Sequence, residues 1–116
     1  MEMLHVTIQT NKFEEELQFF MEHVGLVMQK DLRPMGRKIV FLANTSVETS
    51  IEIIEKADAD NSGNPNLSIG FQAEDLEKKR EELMTAGYEV TPMISPMPGV
   101  QFFFVKDPAG VSIQFM

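Results

Sequence analysis

The chain has 116 residues, 43% of them hydrophobic and 24% charged, the composition of one compact globular domain rather than of a disordered or membrane-embedded chain. Its 10 basic and 18 acidic residues leave a net charge of −8, which disfavours nucleic-acid backbones and anionic membrane surfaces as partners and fits a neutral or cationic small molecule. No cysteine is present, so disulfides, thiolate nucleophiles and Cys-based metal sites are excluded. The longest apolar run, Ile39 to Ala43, falls far short of the roughly 20 residues that span a bilayer. The N-terminal Met1-Glu2-Met3-Leu4-His5 lacks the basic flank and apolar stretch of a secretory signal, and the expected location is the cytoplasm.

The chain opens on strict alternation, with Leu4, Val6 and Ile8 on one face and His5, Thr7 and Gln9 on the other, which is the period of a strand. Phe13, Leu17, Phe20, Met21 and Val24 then recur at helical spacing, led by Asn11 and Glu14 in the pattern of a capping box and closed by Gly25. Three strands are expected over about 26 to 31, 38 to 43 and 49 to 55. Lys30, Arg33, Arg37 and Lys38 crowd the first of the turns between them, and a solvated hairpin end explains them better than an anion site. Asp58 to Asn66, rich in Asp, Asn, Ser, Gly and Pro, is expected to be a linker. A second strand near Leu67 to Gln72 precedes a helix from about Asp75 to Ala86, whose Leu76, Leu83 and Met84 form a thin stripe. Strands are expected again over 88 to 94, 100 to 106 and 111 to 116, with Pro98-Gly99 and Asp107-Pro108-Ala109-Gly110 as turns.

The two halves repeat. Leu4 to Gln9 lies 63 positions before Leu67 to Gln72; Phe13, Phe20 and Met21 map by the same offset onto Leu76, Leu83 and Met84; Ser50-Ile51-Glu52-Ile53 maps by 62 onto Ser112-Ile113-Gln114-Phe115. The expected fold is α+β: two tandem βαβββ modules, residues 1–57 and 67–116 joined by a linker at 58–66, forming curved mixed sheets around a cleft with the helices outside. One helix covers one face of each sheet. Parity then places His5, Thr7, Gln9, Ser50 and Glu52 on the other face of the first module, and Ser68, Gly70, Gln72, Ser112 and Gln114 on that of the second. Such a face is either simply wet or the wall of a ligand cleft.

Tandem βαβββ modules, His5 in the first strand, Glu52 in Ser-Ile-Glu-Ile and the closing Asp107-Pro108-Ala109-Gly110-Val111-Ser112-Ile113-Gln114 resemble the vicinal oxygen chelate superfamily, and within it the glyoxalase/bleomycin resistance proteins. The resemblance covers essentially the whole chain. It implies a divalent metal, one of nickel, zinc, manganese, iron or cobalt, held at the positions of His5, Glu52, Ser68 and Gln114. Ser68 departs from the family pattern, which has histidine there, and its neutral hydroxyl is a poor donor. Gln114 departs as well, because an amide cannot act as the base that a carboxylate supplies in glyoxalase-type proton transfer. Glu52 is left as the one carboxylate and the candidate catalytic residue.

His5 is otherwise an ordinary partner for a polar neighbour, and His23, off the apolar stripe, is expected at the surface. Candidate ligand-binding residues are Thr7, Ser68, Phe102, Phe104 and Met97. Phe102, Phe103 and Phe104 are consecutive, so alternation sends one or two of them to the cleft. Met35 and Met97 supply adaptable walls, and Thr91 to Pro98 is expected to be a stiff hairpin connection rather than a lid. Two functions follow: a binding protein that sequesters an apolar or cationic molecule beside an incomplete metal site, or a metal-dependent lyase, isomerase or oxygenase acting on vicinal oxygens. The resemblance also implies a homodimer.

Overall fold

The computed structural model describes all 116 residues, which divide into two compact units, Met1–Asn61 and Ser62–Met116. In the first, β1 (His5–Thr10), α1 (Phe13–Gln18), β2 (Val27–Asp31), β3 (Ile39–Ala43) and β4 (Ser50–Glu55) form a sheet of order β1-β4-β3-β2. In the second, β5 (Ser68–Phe71), α2 (Leu76–Thr85), β6 (Ile94–Met97), β7 (Val100–Lys106) and β8 (Ser112–Phe115) form a sheet of order β5-β8-β7-β6. Each sheet is mixed: the outer pair β1/β4 or β5/β8 is parallel and the remaining pairs are antiparallel. The α+β expectation of two βαβββ modules is therefore what the chain adopts.

Alternation sets the faces. Ile8, Val40, Leu42, Ile51 and Ile53 are buried on the side of the first sheet where α1 packs on β4. Helix α1 continues as a π-helical segment, Phe19–Val24, and ends at Gly25, whose φ of 85° is the left-handed geometry of a C-terminal glycine. The segment changes which residues face inward. Its i→i+5 bonding turns less per residue than an α-helix does, so Phe19 is fully buried beside Phe20 while Met21, expected in the apolar stripe, is 41% exposed. His23 is half-buried, its ring 6.0 Å from that of Phe19, rather than at the surface as expected.

The expected capping box does not form. Lys12 occupies the N-cap, and its backbone N–H donates to the Thr10 hydroxyl at 3.0 Å. Asn11 instead faces Asn61, whose amide donates to it, and the Thr10 hydroxyl donates to Asn61 at 3.1 Å. The side chain that resembled a cap therefore ties the chain beyond β4 back onto the unit. Helix α2 behaves as expected at its start, where the Lys78 N–H donates to the Asp75 carboxylate at 3.1 Å. Of its thin stripe only Leu83 is fully buried, and Met84 is 51% exposed.

A strand over 88 to 94 is absent. Pro92 has no N–H to offer a ladder, and the segment before it makes a single bridge, Val90 to Val105. Pairing moves into Ile94–Met97, where Ile94 faces Phe102 and Met97 faces Val100 across the Pro98-Gly99 turn. Within Thr91 to Pro98, expected as a stiff hairpin connection, Ile94–Met97 is thus the edge strand of a hairpin with β7. In the Asp107-Pro108-Ala109-Gly110 turn the buried Asp107 accepts the Val111 N–H on its carboxylate at 2.8 Å and the Gly110 N–H on its carbonyl at 2.9 Å. Gly63 lies against it so closely that a Cβ there would sit 1.9 Å from the Gly110 oxygen.

Candidate functional site

The face of each sheet away from its helix carries one residue row in register across the strands. In the first unit Thr7 pairs with Glu52, Glu52 with Phe41 and Phe41 with Lys30, crossing all four strands. In the second, Gly70 pairs with Gln114 and Gln114 with Phe104, and the Thr91 hydroxyl accepts the Phe104 N–H at 3.0 Å. The rows occupy matching places in the repeat, so Glu52 stands where Gln114 does and Phe41 where Phe104 does.

The first row is charged and already organised. The Thr7 hydroxyl donates to Glu52 Oε1 at 2.6 Å, and His5 Nε2 lies 3.4 Å from the same oxygen. The Glu52 side chain is only 13% exposed, that of His5 39%. The His5 ring meets Phe41 edge-on at 5.6 Å, and Lys30 Nζ stands 6.0 Å from the Phe41 ring centre, at the outer reach of a cation–π contact. Phe41 and Lys30 were not among the expected site residues. Phe41 was legible through the repeat, 63 positions before Phe104. Lys30 was not, because a bulge between Met28 and Lys30 brings it opposite Phe41, a place that simple alternation assigns to Gln29.

Two other members of the basic cluster, Arg33 and Lys38, are spent on local pairs, which suits a solvated hairpin end. Arg33 makes a two-pronged bond to Asp31, with distances of 2.9 and 2.8 Å, and this bond holds the Asp31 carboxyl below its ordinary pKa. Lys38 reaches Glu55 at 3.1 Å and Glu14 at 3.7 Å, and the Glu55 bond raises its pKa.

The second row is neutral. A Cβ on Gly70 would lie 3.4 Å from Gln114 Oε1, where Thr7 places a hydroxyl on Glu52 in the first unit. Phe102 and Phe104 share this face with rings edge-on at 5.7 Å, while Phe103 turns inward and is fully buried. A cavity of about 490 Å³ opens here, with Ser68, Ser112 and Phe104 among its walls and Pro65 to Leu67 and Glu89 to Thr91 at its sides. Met97 is exposed on β6 and does not line it.

The donor set does not fit a firmly held divalent metal. His5 and Glu52 come together in the first unit, but no group of three His, Cys, Asp or Glu side chains does so anywhere in the chain. The matching positions of the second unit hold a hydroxyl, Ser68, and an amide, Gln114. One oxygen of Glu52 is already occupied by Thr7, and the row that contains it ends in a lysine cation.

The model of the Glyoxalase/Bleomycin resistance protein/Dioxygenase superfamily matches residues 2–115. The chain belongs to this superfamily. Solved structures share its architecture. Glyoxalase I of Leishmania major aligns with a TM-score of 0.79 at 19% identity, covering 100% of this chain and 86% of that one. The fosfomycin resistance protein FosX of Listeria monocytogenes aligns with a TM-score of 0.80 at 16% identity, covering 99% and 91%. TnmS3, an antibiotic binding protein from Streptomyces sp. CB03234, gives 0.73 at 16%, covering 99% and 93%. No curated protein matches the chain. At these identities the likeness establishes the fold, and one fold of this kind carries unrelated functions.

Proposed function

We propose that this superfamily member is a small-molecule binding protein, one that holds an apolar or cationic ligand without needing a metal. The observation that carries this reading is the cavity of about 490 Å³ on the second sheet, of the size and mixed lining of small-ligand sites. Its aromatic wall is Phe104, Ser68, Ser112 and Thr91 supply neutral polar groups, and Glu89 and Lys106 add one charge of each sign at the lining. The net charge of −8 favours the approach of cations. A cytoplasmic homodimer belongs to the same proposal, and sedimentation at micromolar concentration checks the assembly. A metal-dependent lyase, isomerase or oxygenase is the competing reading, favoured by the contact between His5 and Glu52.

A fragment screen by protein NMR, on protein treated with chelator and then dialysed, separates the two. Binding of apolar or cationic fragments with shifts at Ser68, Phe104 and Ser112, weakening for the cations as salt rises, supports the binding protein. Binding that appears only after a divalent metal is restored, and vanishes in Glu52→Ala, overturns it in favour of the enzyme.

A further inference from the structure

The charged row of the first unit holds two groups that nothing else in the chain satisfies. Glu52 is largely buried, yet Thr7 and His5 both address Oε1, so Oε2 is left to accept from a ligand. Lys30 makes no ion pair, in contrast to Arg33 and Lys38 from the same stretch of sequence. The bulge that turns it toward Phe41 is braced by Gln29, whose amide donates to the Ala43 carbonyl at 3.1 Å. Bulges of this kind commonly re-aim one side chain beside a site. The carboxylate and the ammonium belong to strands β4 and β2, with Phe41 of β3 between them in register. Two strand spacings separate their backbones, roughly 10 Å.

We infer that this row binds a zwitterionic small molecule, its cationic or N–H group on Glu52, its anionic group on Lys30 and the apolar spacer between them over Phe41. This goes beyond the proposed function: the cavity that carries that reading lies on the second sheet, whereas this row is a separate site on the first, with its own ligand class. A ligand of one charge leaves one of the two groups unused. A zwitterion carries no net charge, so its anionic end reaches the lysine without adding to the net charge of −8.

Three probes test it by NMR titration: 4-(aminomethyl)benzoate, which carries both charges at opposite ends of a ring, benzylamine, which carries only the cation, and benzoate, which carries only the anion. The expected result is that 4-(aminomethyl)benzoate binds about tenfold more tightly than either, the effect of one added charge-assisted contact, with shifts at Thr7, Phe41 and Lys30. Lys30→Met should reduce its affinity to that of benzylamine and leave benzylamine unchanged. Glu52→Gln should reduce it to that of benzoate. Where Glu52→Gln fails to fold, the ranking in the wild type and Lys30→Met decides. Benzylamine binding as tightly as 4-(aminomethyl)benzoate, or no loss in Lys30→Met, overturns the zwitterion and leaves the small-molecule function standing. If none of the three probes binds, the inference is overturned, and the fragment screen then decides the function separately.

Discussion

The two units build one architecture from opposite layers. In the first, the aromatic bulk comes from the helical segment, as Phe13, Phe19 and Phe20, and the sheet answers with Ile8, Val40 and Ile53. In the second, the helix offers Leu76 and Leu83, and the rings move to the sheet: Phe71, Phe103 and Phe115 stand at the repeat positions of Ile8, Val40 and Ile53. Phe103 stacks on Phe115 at 5.5 Å. The volume between helix and sheet is filled either way, which is what dense packing demands, and the repeat conserves position more strictly than it conserves size. The opposite faces differ more. Thr7, Glu52, Phe41 and Lys30 make a charged, pre-bonded row, whereas Gly70, Gln114 and Phe104 make a neutral one bordering a cavity.

The largest expected effect comes from breaking the exchange of layers. Phe103→Ala should destabilise the protein by about 3–5 kcal/mol, the range for a buried ring removed from a packed core. Leu83→Phe alone should cost about 1–3 kcal/mol through overpacking. Combined with Phe103→Val, which installs the residue of the first unit, it should cost clearly less than the sum of the two single changes. Urea unfolding midpoints read all of these, and strict additivity would show that the two layers do not share one volume.

Next in size is the turn that only the second unit uses to seat the linker. Gly63→Ala should cost more than about 2 kcal/mol, since a left-handed backbone and a collision with Gly110 act together. Gly36, at the hairpin of the first unit, has the same left-handed φ but open space around its Cβ, so Gly36→Ala should cost only the backbone part, about 1–2 kcal/mol. Equal costs at the two positions, measured by thermal and urea unfolding, would count against the close approach.

The rows themselves should respond more gently. Thr7→Val removes a hydrogen bond to a carboxylate and should cost about 1 kcal/mol. Gly70→Ala at the matching position adds a methyl at ordinary contact distance from Gln114 and should stay within about 0.5 kcal/mol of wild type. The smallest effect concerns Asp31, whose carboxyl the Arg33 bond holds below the ordinary 3.8. A depressed carboxylate stabilises the fold above its unfolded-state value, and that contribution disappears as pH falls through the folded value. Carbon-detected NMR titration should place Asp31 below 3.8, and Arg33→Leu should let it rise toward that value.

Much of this is legible in the sequence. The offset of 62 to 63 residues, the alternation of His5, Thr7 and Gln9 with Val6 and Ile8, and the glycine-terminated helices specified two βαβββ units and assigned the open faces. His5, Thr7 and Glu52 were placed together correctly because β1 and β4 are neighbours in parallel register. The errors have separate causes. Asn11 and Glu14 imitate a capping box, but Asn61, distant in sequence, competes for Asn11. Pro92 interrupts the segment that alternation marked as a strand, and Ile94–Met97 pairs instead.

What the sequence determined by itself are the properties that repeat at short range: the period of each element, the face each side chain takes within it, and the turns that Gly, Pro and Asp impose. Those follow from backbone sterics and the burial of apolar surface, both of which act locally along the chain. Only the tertiary structure decided the phase of the first helix, where a π-helical segment exchanges Phe19 for Met21, and the register of β2, where a bulge moves Lys30 out of a solvated cluster and opposite Phe41. Both are shifts of a single residue. A one-residue shift turns a side chain from one face to another, and its cost is set by the strands and rings packed against it, which lie far away in sequence.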